Sequence, residues 1–220
     1  MRYEGYVKKT VEELTRNGQI RLLDMPDLDL YMDQVTTFMD EKLAAYKRNE
    51  KDKILTKTMI NNYTKSNIIP KTVNKKYTKD HLIFLIMIYH MKGIISQRDM
   101  ALLMKPLIEN YNSDLEEKIK IEDIYSILQE IQKSEREKSG MQMREDMDSV
   151  KDYLKEINLN DDDMLEIFML VTMLIVRANT QKYLAEKLID EYFVKDRNPA
   201  KKEKKVRKKK VDTQENNISV

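Results

Sequence analysis

Apolar positions recur along this chain at helical spacing almost throughout, and the places where they fail mark its short irregular segments. Tyr3, Val7, Val11 and Leu14 predict a first helix over residues 3–16, and residues 20–27, which include Pro26, read as irregular. Asp27 can cap a helix over 28–46 whose stripe is Tyr31, Val35, Phe38, Met39, Leu43 and Tyr46. A charged connector over 46–53 follows, and Thr56 is a good N-cap for a helix over 55–66. On a helical wheel Leu55, Met59, Tyr63 and Ile60 share one arc, and Lys57, Asn61 and Lys65 fall opposite. Asn67-Ile68-Ile69-Pro70 ends this helix, because Asn tolerates the left-handed C′ position and Pro70 cannot continue a helix. A hairpin-sized segment over 68–77 comes next, and then Thr78 caps a helix over 79–91. That helix is hydrophobic nearly all round, which predicts complete burial at the centre of a domain. Gly93 breaks it, and Ser96 opens a helix carrying Met100, Leu103 and Met104 as far as Pro106.

The second half is helical without a motif. Ile121, Ile124, Leu128 and Ile131 form one heptad-like seam, and Met143, Met147, Val150, Leu154 and Ile157 form another. An interruption at Ser139-Gly140 predicts an antiparallel helical hairpin. A last helix, capped at Asn160 or Asp161, runs to about Phe193, and from Met164 to Val176 it is apolar on every face. Such a helix needs neighbours all around it, either as the centre of a C-terminal bundle or as half of a dimer interface, and the interface reading is preferred.

Charge changes this picture in one region. Between Lys47 and Lys79 ten Lys/Arg stand against Glu50 and Asp52, a net of +8, whereas the whole chain carries only +2. A second concentration lies in the tail over 195–220, expected to be disordered, where ten Lys/Arg between Lys195 and Lys210 face Asp196 and Glu203. That tail reads either as a solubilising segment or as a non-specific DNA arm. Positive charge gathered on one element is the electrostatic footprint of a nucleic-acid binder. The order short helix, basic hairpin, apolar helix is what a winged helix-turn-helix needs. In that reading Lys57, Thr58, Asn61, Asn62 and Lys65 enter the major groove, where Asn can read adenine, and Lys71, Lys75 and Lys76 hold adjacent phosphates.

Other chemistry finds little support. Cysteine is absent, which excludes disulfides and thiolate catalysis. His81 and His90 fall on opposite sides of one helix and cannot share a metal, so packing roles are expected for both. The four glycines (Gly5, Gly18, Gly93, Gly140) are too dispersed to cradle a phosphate. Asp161-Asp162-Asp163 suits a helix N-terminus better than a magnesium site, and the 15 methionines suit core filling better than a ligand pocket. No enzyme, cofactor or metal is expected. No secretory or membrane-spanning run is expected either, since Met164–Val176 is too short to cross a bilayer, which points to a cytoplasmic protein.

The run from Thr56 to Met104 resembles the DNA-binding domain of the MerR regulators. Tyr63, the Ile68-Ile69-Pro70 step, Lys75-Lys76-Tyr77-Thr78 and Gly93-Ile94-Ile95-Ser96 stand where that family has its helix-ending Tyr, Leu-x-Pro step, wing and Gly-aliphatic-Ser step. Asn61 and Lys75 depart from it, since MerR proteins commonly carry Arg at both places. The chain also looks like a bacterial family known as domain of unknown function 1836, whose opening is similar to Asp24–Leu43 and whose members are described as MerR-like. The resemblance implies a mainly α fold with a small β wing and a cytoplasmic DNA-binding transcriptional regulator acting as a dimer on double-stranded DNA. The organisation expected is an N-terminal helix and lead-in (1–26), a winged helix-turn-helix (27–104), a helical dimerisation or effector module (105–194) and the basic tail. A competing reading is a non-enzymatic protein-interaction module that recruits a partner through the apolar C-terminal helices.

Overall fold

The computed structural model describes residues 2–16, 19–113, 115, 119–159 and 162–194, so the tail over 195–220 and the expected caps Asn160 and Asp161 lie outside the described residues. The chain is mainly helical. Helix α1 (Arg2–Arg16) is followed by a two-residue strand β1 (Leu30–Tyr31), then by α2 (Met32–Lys42) and α3 (Lys57–Lys65). Strand β2 (Lys76–Tyr77) leads into α4 (Lys79–Met91), α5 (Gln97–Tyr111), α6 (Ile121–Glu156) and α7 (Asp163–Ile189), which ends in a π-helical turn over Asp190–Val194.

Helix α4 is buried from His81 to Ile88, as its all-round apolarity requires, and organises the larger core. Val35 and Met39 of α2, Ile60 and Tyr63 of α3, Met100 and Met104 of α5 and Tyr125 of α6 belong to the same cluster. Each fully buried aliphatic or aromatic side chain there contributes about 1.5–3 kcal/mol of transfer free energy. The lead-in joins this core through one carbonyl. Ile20 O accepts from Tyr125 Oη at 2.6 Å and from Gln129 Nε2 at 2.7 Å, two side chains one turn apart on α6.

A second, smaller core holds Val150 and Leu154 of α6 against Leu170 of α7, filled in by Met143, Met147, Leu165 and Met173. Polar contacts fix its register. Arg177 on α7 donates to both oxygens of the buried Asp146 on α6, at 2.6 and 2.7 Å, and this guanidinium holds the Asp146 carboxyl below its ordinary range. Tyr3 of α1 donates to the buried Glu166, and Glu4 pairs with Lys151 of α6, so α1 lies along α6 and touches the start of α7.

Four sequence expectations are corrected. Residues 28–31 are not helical, because Leu30 and Tyr31 pair antiparallel with Tyr77 and Lys76, and the α2 N-terminus is instead closed by Gln34 Oε1 on the Tyr31 N–H at 2.8 Å. The wing over 68–77 is correspondingly small: one bridge, Val73 to Lys76, plus strand β2, whose partner comes from before α2. Helix α5 passes through Pro106 to Tyr111, across the expected 104/105 boundary, and Leu107, Ile108 and Tyr111 pack against the larger core. Their burial outweighs the hydrogen bond that proline removes.

The fourth correction concerns Ser139-Gly140. Helix α6 is continuous for 36 residues, and Gly140 is a buried crossing point. A Cβ there would stand 2.9 Å from Val11 Cγ1, so the glycine lets α1 approach α6 closely.

Candidate nucleic-acid interface

Local signals set α3 as the sequence predicts. Thr56 Oγ1 accepts from the Met59 N–H at 3.2 Å. At the other end Asn67 takes φ 52°, the Ile68 N–H reaches Tyr63 O at 2.8 Å and the Asn67 N–H reaches Thr64 O at 3.1 Å. This is the Schellman closure, completed by the buried pair Ile68 and Tyr63. The apolar arc is anchored by Ile60 and Tyr63, both buried, with Leu55 buried just ahead of the helix. On the other arc Lys57, Thr58, Asn61, Asn62 and Lys65 are all exposed.

The wing is built around a sharp turn. Asn74 and Lys75 both have positive φ, 52° and 59°, and the Lys76 N–H closes on Val73 O at 3.0 Å. Two consecutive left-handed residues match the twist of a tight hairpin, and they set Lys75 at its tip. For a lysine this conformation costs about 1 kcal/mol, so the position is held by its surroundings. Lys71 and Lys75 are exposed, and Lys76 is half-buried with its ammonium 5.7 Å from the Tyr31 ring, its cross-strand neighbour. Helix α2 packs against α3, β1 and β2, and so fixes the wing strand relative to the helix.

Beneath the wing lies an aromatic cluster in which Tyr77 and Tyr111 meet the His81 ring edge-on, at centroid distances of 5.7 and 6.3 Å. His81 Nδ1 lies 3.2 Å from the Thr78 N–H and 2.8 Å from Thr78 Oγ1. The ring also approaches the backbone of Lys71 and Pro70, but Nε2 finds no partner in good hydrogen-bond geometry. Burial pushes the His81 pKa down, and burial likewise pushes the Tyr63 and Tyr77 phenols up. His90 packs on Tyr46 and Tyr89. Both histidines therefore take packing positions, and among the described residues no cluster of His, Asp and Glu could hold a metal ion.

Not every lysine of the basic stretch is available to a phosphate. Lys57 pairs with Asp33 of α2, Lys47 with Asp40 at 2.5 Å and Lys79 with Glu122 at 3.3 Å. Among the described residues Lys65, Lys71, Lys75 and Lys76 show no ion pair. The sequence did not single out Asp33, because its partner lies on another helix. It also passed over Arg98. Gln97 Nε2 donates to Ser66 Oγ at 2.8 Å and pins the start of α5 beside the end of α3. A groove of about 530 Å³ there is lined by Asn67, by Arg98 and by Lys105 and Glu109, which pair with each other at 3.9 Å, so Arg98 is the cation that it adds beside the end of α3. The cap signal at Ser96 located this helix start without indicating what it would touch.

Residues 20–128 match the model of a family described as Domain of unknown function (DUF1836). No curated protein and no solved structure matches the chain. The matched segment begins at Ile20, whose carbonyl is anchored on α6, and ends at Leu128, the last residue packed on the larger core. No helix among the described residues is long and apolar enough to cross a membrane.

Proposed function

We propose, for a chain whose residues 20–128 match that family, a DNA-binding transcriptional regulator with a MerR-like winged helix-turn-helix. Helix α3 enters the major groove and the hairpin around Lys75 lies along the neighbouring backbone. Lys57, Thr58, Asn61, Asn62 and Lys65 face the groove, and Lys71, Lys75 and Lys76 face phosphates. The observation that carries this reading is the division of α3. Its apolar side is sealed into the core by a capped, Schellman-closed helix, while every polar residue proposed for contact projects from the opposite side into solvent. A helix this short is marginal in isolation, so it is the tertiary packing that presents these amides and ammoniums rigidly.

The test is binding to duplex DNA of random sequence across a salt series, for the full chain and for a chain ending at Val194, since the basic tail can bind polyanions by itself. Both bind with affinity falling as salt rises. Replacing Asn61 by Ala relaxes preference at one base pair, at a cost of roughly 1–3 kcal/mol, without changing the salt slope. If the shorter chain shows no salt-dependent binding, or the Asn61 variant has unchanged base preference, the corresponding part of the proposal is rejected.

A further inference from the structure

Helix α7 is apolar on faces that nothing among the described residues covers. Its inner side, with Leu170 and the half-buried Met173 and Arg177, packs on α6. On the opposite side Met164, Phe168, Val171 and Ile175 are 72, 64, 48 and 56 % exposed. With ordinary side-chain areas these four leave about 450 Å² of apolar surface, and the flanking Leu174 brings it to about 500 Å², while Met169 and Val176 stand more than about 100° around the helix from the middle of that face. The largest patch on a typical monomer is about 300–600 Å², and a stable interface takes about 800 Å² from each partner. The spacing is as informative as the area. Met164, Phe168, Val171, Ile175, Ala178 and Lys182 follow one another at intervals of 4, 3, 4, 3 and 4, an unbroken coiled-coil seam.

We infer that this seam is the interface of a homodimer in which α7 pairs antiparallel with α7 of a second copy, centred near Met173. In that register the two ends of the seam complete each other. Phe168 faces the small Ala178, Val171 faces Ile175, and Met164 faces the aliphatic stem of Lys182. The Lys182 ammonium then reaches the acidic start of the other α7, at Asp162 and Asp163. A parallel pairing would instead set Phe168 on Phe168, leave a void between two alanines and oppose two lysines. The residues at 195–220 do not suit the seam, since Lys and Arg dominate them. A two-fold interface needs one patch complementary to itself, and the antiparallel seam has that property. The pairing does not depend on nucleic acid, so its test is separate from that of DNA binding.

The experiment is sedimentation equilibrium on the full chain, which should give a particle of twice the 26.3 kDa chain mass at micromolar concentration. Phe168→Glu, at a position already in solvent, keeps its helical circular dichroism and thermal transition but weakens the dimer at least about a hundredfold. Because the natural chain has no cysteine, Met164→Cys and Lys182→Cys chains give an independent readout. Like residues of the two copies lie about 27 Å apart in the antiparallel pairing, so each variant alone stays uncrosslinked, and an equal mixture forms a disulfide-linked dimer. A wild-type chain that remains monomeric, a dimer indifferent to Phe168→Glu, or a disulfide formed by Met164→Cys alone overturns the inference.

Discussion

The ion pair between Lys57 and Asp33 divides the lysines of α3 into two kinds, and three variants can read the division. Lys65 has no acidic partner among the described residues, so a phosphate contact there displaces only solution ions. Its loss in Lys65→Ala should flatten the plot of log affinity against log salt by about 0.9, which from 50 to 200 mM salt is a three- to fourfold change. Lys57 must first release Asp33. Both side chains are more than half exposed, at 58 and 77 %, so the pair is worth about 0–1 kcal/mol. That amount offsets up to about fivefold of what Lys57 gives to DNA, and Lys57→Ala should therefore cost less than Lys65→Ala. Asp33→Asn should tighten binding to every duplex a few-fold, because it frees one cation and removes one anion near α3, the helix proposed to face the groove. The gain should shrink in Asp33→Asn combined with Lys57→Ala, since only the removal of the anion is then left. Fluorescence anisotropy with a random duplex, all variants in the full chain so that the tail is constant, measures each quantity. An unchanged slope for Lys65→Ala, or no gain for Asp33→Asn while Lys57 is present, would refute the reasoning.

Lys75→Gly separates fold from function, since relief of a left-handed lysine should raise stability by about 0.5–1 kcal/mol in a thermal melt while the salt slope for DNA falls by about 0.9. Gly140→Ala sets a helix-propensity gain of about 1 kcal/mol against overpacking of about 1–3 kcal/mol at Val11. A net loss is expected in urea titration, and Val11→Ala in the same chain should recover part of it; strict additivity would show that the two side chains do not meet. Asp146→Ala strands Arg177 beside a buried site and should cost about 2 kcal/mol, below the usual figure for a fully buried pair because Arg177 is 36 % exposed. His81 and His90 have folded pKa values pressed below the ordinary 6.5, chiefly by burial, so the unfolded chain takes up their protons first. Stability is then full above pH 6.5 and declines as the pH falls below it, and His81→Gln with His90→Gln should flatten the melting temperature between pH 7 and 5.

Much of the matched segment could be read from local chemistry. The cap at Thr56, the left-handed Asn67 and the uninterrupted apolar run after Thr78 each act within a few residues, so α3 and α4 stand where their patterns place them. What escaped the sequence depends on partners far along the chain. Leu30 and Tyr31 are extended because Lys76 and Tyr77 are there to pair with them. Pro106 stays helical because the core rewards the turn that follows it. A glycine after a serine reads as a break in isolation, yet at Gly140 it is a groove for Val11. The electrostatics divided in the same way. The excess of lysine was visible, but its partial cancellation by Asp33, Asp40 and Glu122 required knowing which helices are neighbours.

The uninterrupted α6 has a mechanical consequence. At 1.5 Å per residue its 36 residues make an arm about 54 Å long. Tyr125 roots that arm beside α4, and Val150 and Leu154 carry the returning α7 at its far end. A pivot of about 5° at either end moves the other by nearly 5 Å, more than the 3.4 Å step between stacked base pairs. If α3 reads DNA as proposed, a tilt imposed at the distal helices shifts it by a full step of the DNA ladder without unfolding a single turn.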